Sequence, residues 1–411
     1  MSADVQLRML PYPYRAILAI CSDLDETPDR RVYWEIMQFL NTTETTAMGP
    51  GVGLEVGNSI YFDMPSEQFA YWNTDNYGRE MVRTLIRSGH IDCLHSYGDL
   101  AATREQAARA LDELNRHNCQ LEVWVDHGTA PTNFGSDIMQ GHGDEPDHPA
   151  YHADLTTDYG IKYVWRGRVT SITGQDVSPS LGGIFNCEHP AASGQTLLKE
   201  AIKQKLAHFS NKKYLMHRFN QTFNTSTLRD GSQVYEFLRC NPHWGGVSCC
   251  DQGRYIEEVL TNEFMKRLVK RGGACILYTH LGKIDNPEVP FNQGAIKAFH
   301  RLAQVYQKGD ILVTTTRRLL GYFKAVREVT FNRSVDDKGL CIELNRLAHE
   351  NTNKQLHNPN LNGLTFYVPE PERTTMKVNG KEITDIKRNP PDYTGCLSIS
   401  LPWSLLEFPE I

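Results

Sequence analysis

Through roughly residues 15–325, strand-sized apolar runs alternate with stretches whose apolar residues recur at helical spacing, and this alternation constrains the fold more than any other feature. The runs are "RAILAICS", "HIDCLHS", "LEVWVDHG", "IKYVWRG", "VYEFLRC", "ACILYTH" and "DILVTTT". Thr27-Pro28 reads as the N-cap and first residue of a helix carrying Val32, Ile36, Phe39 and Leu40. A second helix is predicted from about Asp75, with Met81, Val82, Leu85 and Ile86 on one face and a stop at Gly89. Thr103 to Gln106 forms a capping box that opens a helix holding Ala107, Leu111 and Leu114. Further helices are expected near 195–209, 255–271 and 292–307. Repeated βα units of this length specify an α/β fold, a parallel sheet covered by helices and either open or closed into a barrel. Such sheets place their sites at the C-terminal ends of the strands.

After about residue 327 the pattern becomes one of short extended segments, with Asn379-Gly380 suited to a type I′ hairpin turn. Residues 1–327 are therefore expected to form the α/β unit, and residues 328–411 a small antiparallel β-sandwich packed on it. A length of 411 residues fits one large domain plus a smaller one. Apolar residues make up 40% and charged residues 22%, as in folded proteins. The net charge of −6 argues against nucleic acid as a partner. No apolar run reaches the length of a membrane span, and the N-terminus lacks a secretory leader pattern, so a cytoplasmic location is expected. The ten cysteines are expected to be reduced: Cys21, Cys93, Cys187 and Cys275 sit in or beside apolar runs, and Cys249-Cys250 lacks the spaced partner pair of a zinc knuckle.

The chemistry-bearing residues fall at the strand ends. "AILAICSDLDET" sets Asp23 and Asp25 on one face of an extended segment, where two carboxylates crowd unless a cation or shared proton relieves them. "LHSYGDL" supplies His95 and Asp99, "WVDHGT" supplies Asp126 and His127, and "LYTHLGK" supplies His280. In order and setting these motifs resemble the NodB-type polysaccharide deacetylases of the glycoside hydrolase/deacetylase superfamily. "CSDLDE" resembles the family's T-F-D-D-G with one residue inserted, and "HSYGD" matches H-[ST]-x-x-H with Asp99 in the place of the second histidine. "ILYTHLGK" is similar to the late motif whose histidine is a general acid, and "YVWRGR" to the Trp-containing motif. The family's Arg-containing motif finds no counterpart, "WVDHGT" standing in its place.

The resemblance implies a distorted (β/α)7-8 barrel and a metal-dependent hydrolase that removes an N-acyl group from an amino sugar, in surface polysaccharide biosynthesis or modification. Asp23 would be the base, His280 the acid, and Asp25, His95 and Asp99 the ligands of a divalent metal; which aspartate binds the metal stays open. Two anionic ligands and one neutral one suit zinc, and also Mn2+, Fe2+ or Co2+. Asp126, His127, Arg166, Arg168 and Trp244 are candidates for supporting the site or contacting a carbohydrate substrate. His142, Asp144, His148 and His152 read either as a second metal site or lid, or as a solvated loop, the latter being favoured. Two alternatives are a glycoside hydrolase using a carboxylate pair, and a degenerate barrel that only binds carbohydrate.

Overall fold

The computed structural model describes residues 5–24, 27–337, 339–345 and 361–411, so the expected ligand Asp25 lies outside the described residues. The repeated βα units form one large curled sheet. Its spatial order runs Phe223–Thr227, Gln233–Phe237, Tyr163–Trp165, Val123–Val125, Ile91–His95, Asn58–Ile60, Ala16–Ser22, Ala274–Thr279, Arg239–Cys240, Val169–Thr170. Strand Ile311–Thr314 also pairs with Ala16–Ser22. Ten of these strands run parallel, and Phe223–Thr227 alone is antiparallel to its neighbour. The curl brings one length of chain to both ends of this order: Gln233–Phe237 pairs with Tyr163–Trp165, and Arg239–Cys240, one residue on, pairs with Ala274–Thr279. The parallel sheet is thus a curled half-barrel.

Alternation along the strands builds two cores. Ala16, Leu18 and Ile20 face outward, into a cluster with the covering helices. Ile17, Ala19 and Cys21 face inward, into a cluster with Cys93, Val123, Val125, Tyr163, Trp165, Ala274 and Ile276. Helices Asn76–Arg87, Arg104–Arg116 and Gln293–Gln307 begin within a residue or two of their predicted starts. The first helix starts later than expected, at Arg30, because the Asp29 carboxylate accepts from the amides of Arg31 and Val32 while the Thr27 hydroxyl turns back to Leu24 O at 2.7 Å. The helix predicted from 255 begins at Asn262, with Thr261 as its cap; Gly253–Glu258 forms only a 3₁₀ turn.

The C-terminal part departs from the expected sandwich in two ways. One of its two four-stranded sheets contains a parallel pair, Gly339–Leu344 with Thr374–Val378. The other takes its edge strand, Gln6–Arg8, from the N-terminus. The inward apolar cluster continues from the large sheet through Leu319, Tyr322 and Phe323 into Ile342, Phe366 and Ile399, so both parts share one core. All ten cysteines are free thiols; Cys187, expected beside an apolar strand, is instead exposed in a loop. Among the described residues no helix is long and apolar enough to cross a membrane.

Candidate functional site

The inward phase of each strand continues one step past its C-terminal end, and that step gathers the site. Asp23 follows Ile17, Ala19 and Cys21; His127 follows Val123 and Val125; His280 follows Ala274, Ile276 and Tyr278. His95 follows Cys93 on the inner face, Ser59 and Tyr61 lie at the end of their own strand, and Arg239 follows Phe237. Residues out of this phase point elsewhere, and this one rule sorts most of the candidates.

Asp23 and His280 are direct neighbours, because Ser22 pairs with Thr279 and the Asp23 amide donates to Thr279 O at 3.1 Å. Both Asp23 oxygens are bonded by one guanidinium: Arg239 Nη1 lies 2.8 Å from Oδ2 and Nη2 lies 3.1 Å from Oδ1. Arg239 is wholly buried and sits 4.2 Å above the ring centroid of Trp165, with Cys21 Sγ 2.8 Å from Nη2. Burial works against its charge, yet the Asp23 carboxylate more than offsets this and holds its pKa well above the usual arginine value. The fork geometry fixes the plane of the Asp23 carboxylate.

His95 lies beside Asp23, with Nε2 3.8 Å from Oδ2, and the Ser59 hydroxyl is 3.4 Å from both Asp23 Oδ1 and His95 Nδ1. Tyr61 stacks on the His95 ring at 4.3 Å, and His127 meets it edge-on at 4.6 Å. Asp99 is reached through a tight turn in which Ser96 and Gly98 have φ of +44° and +99°; a Cβ on Gly98 would lie 2.2 Å from Asp63 O, so only glycine fits. Asp99 does not meet His95 directly. Its Oδ1 accepts from His127 Nδ1 at 2.9 Å, so His127 joins the two predicted ligands. That arrangement, a carboxylate on one imidazole nitrogen, orients the other nitrogen as metal-binding histidines require. His127 thus connects Asp99 to His95, although these three do not bring one donor atom each within 4.8 Å of one another.

His280 has its own carboxylate: Nδ1 bonds Asp251 Oδ2 at 2.8 Å, while His280 N donates to Asp251 O at 2.7 Å and Gly253 N to His280 O at 3.0 Å. The pairing sets the tautomer with the proton on Nδ1 and clamps the ring.

The remaining candidates lie outside this group. Asp126 is out of phase and fully buried; it accepts from Trp124 Nε1 at 2.7 Å, Phe134 N at 2.9 Å and Gly135 N at 2.8 Å, and so shapes the following loop. Burial pushes its pKa up to about 7, against those hydrogen bonds. Arg166 bonds Ser226 and Glu236, and Arg168 makes a two-pronged pair with Asp137 at 2.8 and 3.0 Å. Trp244 stacks flat on His189 at 4.0 Å, which occupies one face. The loop with His142, Asp144, His148 and His152 is not solvated throughout: Asp144 is buried under Arg229, and His152 is buried between Thr156 and Thr132 O. Arg239 and Asp251 were not foreseen. An arginine in the inward phase of "VYEFLRC" was the available signal, because a buried guanidinium requires a carboxylate partner. Asp251, in an irregular polar stretch, carried none.

No family model matches this chain, and no curated protein matches it.

Proposed function

We propose that this protein is a metal-dependent hydrolase that removes an N-acyl group from an amino sugar, a divergent relative of the NodB-type deacetylases with a distorted (β/α)7-8 barrel of that type. The observation that supports it most is the pair of neighbouring strand-end groups with opposite kinds of partner, Asp23 on the Arg239 guanidinium and His280 on the Asp251 carboxylate. A carboxylate gripped at both oxygens by a buried guanidinium favours its ionised form, the state in which Asp23 takes a proton from attacking water. With its Nδ1–H held by Asp251, His280 acts as acid in its imidazolium form: it gives the second proton, on Nε2, to the departing amine and returns to the neutral Nδ1–H tautomer. A glycosidase needs one carboxyl kept protonated as the acid, and Asp23 bound to Arg239 is a poor candidate for that role.

His95 and Asp99, with His127 and the expected Asp25, are the residues that would hold the cation, zinc being the first choice. Bound there, it would polarise the acyl carbonyl and acidify water. Asp23 and Ser59 orient the water, and Tyr61 walls the imidazoles.

Metal analysis with and without chelation, combined with acetate release from a panel of N-acetylated amino sugars, tests the proposal. Release that disappears on chelation and returns with zinc is expected. A metal-loaded protein that frees no acyl group from the panel, or a His95→Ala variant with unchanged metal content and activity, would overturn it.

A further inference from the structure

The segment His243 to Cys250, between the two unforeseen residues Arg239 and Asp251, has no part in the proposed chemistry, yet it is built tightly. Asn241, fully buried, donates to Val247 O at 3.1 Å and Cys249 O at 2.9 Å and accepts from His243 N at 3.0 Å. These bonds fold the segment into a closed loop. Cys250 has a φ of +58°, a left-handed conformation costly for a side-chain-bearing residue, and its sulfur lies 3.6 Å from that of Cys249. One donor atom each from His243, Cys249 and Cys250 lies within 4.8 Å of the others, the only such group of His, Cys, Asp and Glu among the described residues. A Cβ on Gly245 would lie 2.7 Å from Cys249 Sγ and 2.9 Å from His243 Nδ1, so the space bordered by these two donors depends on glycine. Glu258 flanks the group, with Oε2 3.6 Å from His243 Nε2 and 3.4 Å from Cys250 Sγ.

We propose that His243, Cys249 and Cys250 form a second binding site, for a thiophilic d¹⁰ cation of which zinc is the representative. Two sulfurs and an imidazole select such ions over magnesium or calcium. Loading would exchange the Gly245 N–H bond to His243 Nδ1, 2.9 Å long, for a metal bond. The proton on Nε2 stays, directed at Glu258 as a supporting carboxylate. The two thiols release one proton each to solvent and become thiolate ligands, with no change in oxidation state. Cys250 immediately precedes Asp251, so the loaded site fixes the chain next to the carboxylate that holds His280.

Cobalt(II) titration of the full chain, reduced by a phosphine and stripped of metal, tests this site separately from the one at His95, which contains no sulfur. A thiolate-to-cobalt charge-transfer band is expected in the wild type and in His95→Ala, displaced by zinc, and absent from the Cys249→Ser/Cys250→Ser double variant. Glu258→Gln, a change at a half-exposed position, is expected to weaken cobalt affinity about tenfold. A folded wild type without the band, or a double variant that keeps it, overturns the proposal whatever the outcome of the acetate assay.

Discussion

Asp23 shows how much of the site rests on single contacts. Replacing it with asparagine leaves the wholly buried Arg239 without its counter-charge, a situation that costs about 3–5 kcal/mol. Asp23→Asn is therefore expected to lower the thermal midpoint as well as to reduce acyl release by about 10²–10⁴-fold; calorimetry and acetate assay on one preparation check both. Arg239→Met/Asp23→Asn should recover much of the stability and none of the activity, because the uncompensated charge is gone but the base is still missing. Replacing His280 with alanine is expected to lower kcat by about 10²–10⁴-fold with KM little changed. Asp251→Asn should give a smaller loss in the same parameter, because Asp251 acts only by holding the ring. Equal KM increases in both variants would instead mark the dyad as a binding contact. At this scale the strand-end positions of Asp23, His95, Asp99 and His280 were legible in the sequence. It did not disclose that His127 links Asp99 to His95, since that link joins two separate loops and has no local pattern.

Among the elements, the long segment after strand Val123–Val125 illustrates why composition misleads. Its Gly, His, Asp and Pro content suggests a solvated loop, but the interior is packed. His152 lies among Tyr97, Trp124 and Phe134, and Asp126 anchors Phe134 and Gly135. Burial lowers the His152 pKa from 6.5 to about 4. Its folded value lies below its unfolded one, so the stability it contributes is fully present above pH 6.5 and is lost as pH falls through about 4. Relative to wild type, His152→Gln is expected to gain about 3 kcal/mol between pH 7 and pH 4. Urea unfolding at the two pH values measures the difference, and a difference that is flat with pH would refute it. Asp126 has the opposite sign: raised to about 7 by burial, it favours the fold at low pH and loses that contribution as pH rises through 7. Helix starts were legible where a local cap was read, as with Asp75, whose carboxylate accepts from Gly78 N at 2.7 Å, but not near 255, where the helix waits for the Thr261 cap.

For the whole molecule, the two parts are expected to depend on each other. Strand Gln6–Arg8 pairs with Thr365–Tyr367, and Arg8 bonds Asp392 at 2.9 Å. Beyond the last strand, the Leu406 amide donates to Glu55 at 2.9 Å and Phe408 packs on Trp34 at 5.0 Å. A chain ending at residue 327 leaves Leu320, Tyr322 and Phe323 without the C-terminal half of their cluster. It is predicted to lose cooperative unfolding and to bind a hydrophobic dye; a sharp thermal transition in that truncation would count against the dependence. The amino-acid order alone determined the βα alternation, the parallel sheet and the strand-end location of the polar residues, because hydrophobic period and capping are written within a dozen residues. Only the tertiary structure decided that Arg239 meets Asp23, that Asp251 holds His280 and that the N-terminal strand joins the C-terminal sheet. Each of these joins residues distant in the chain, and the curl of the sheet and the shared core fix such pairings where no local period can.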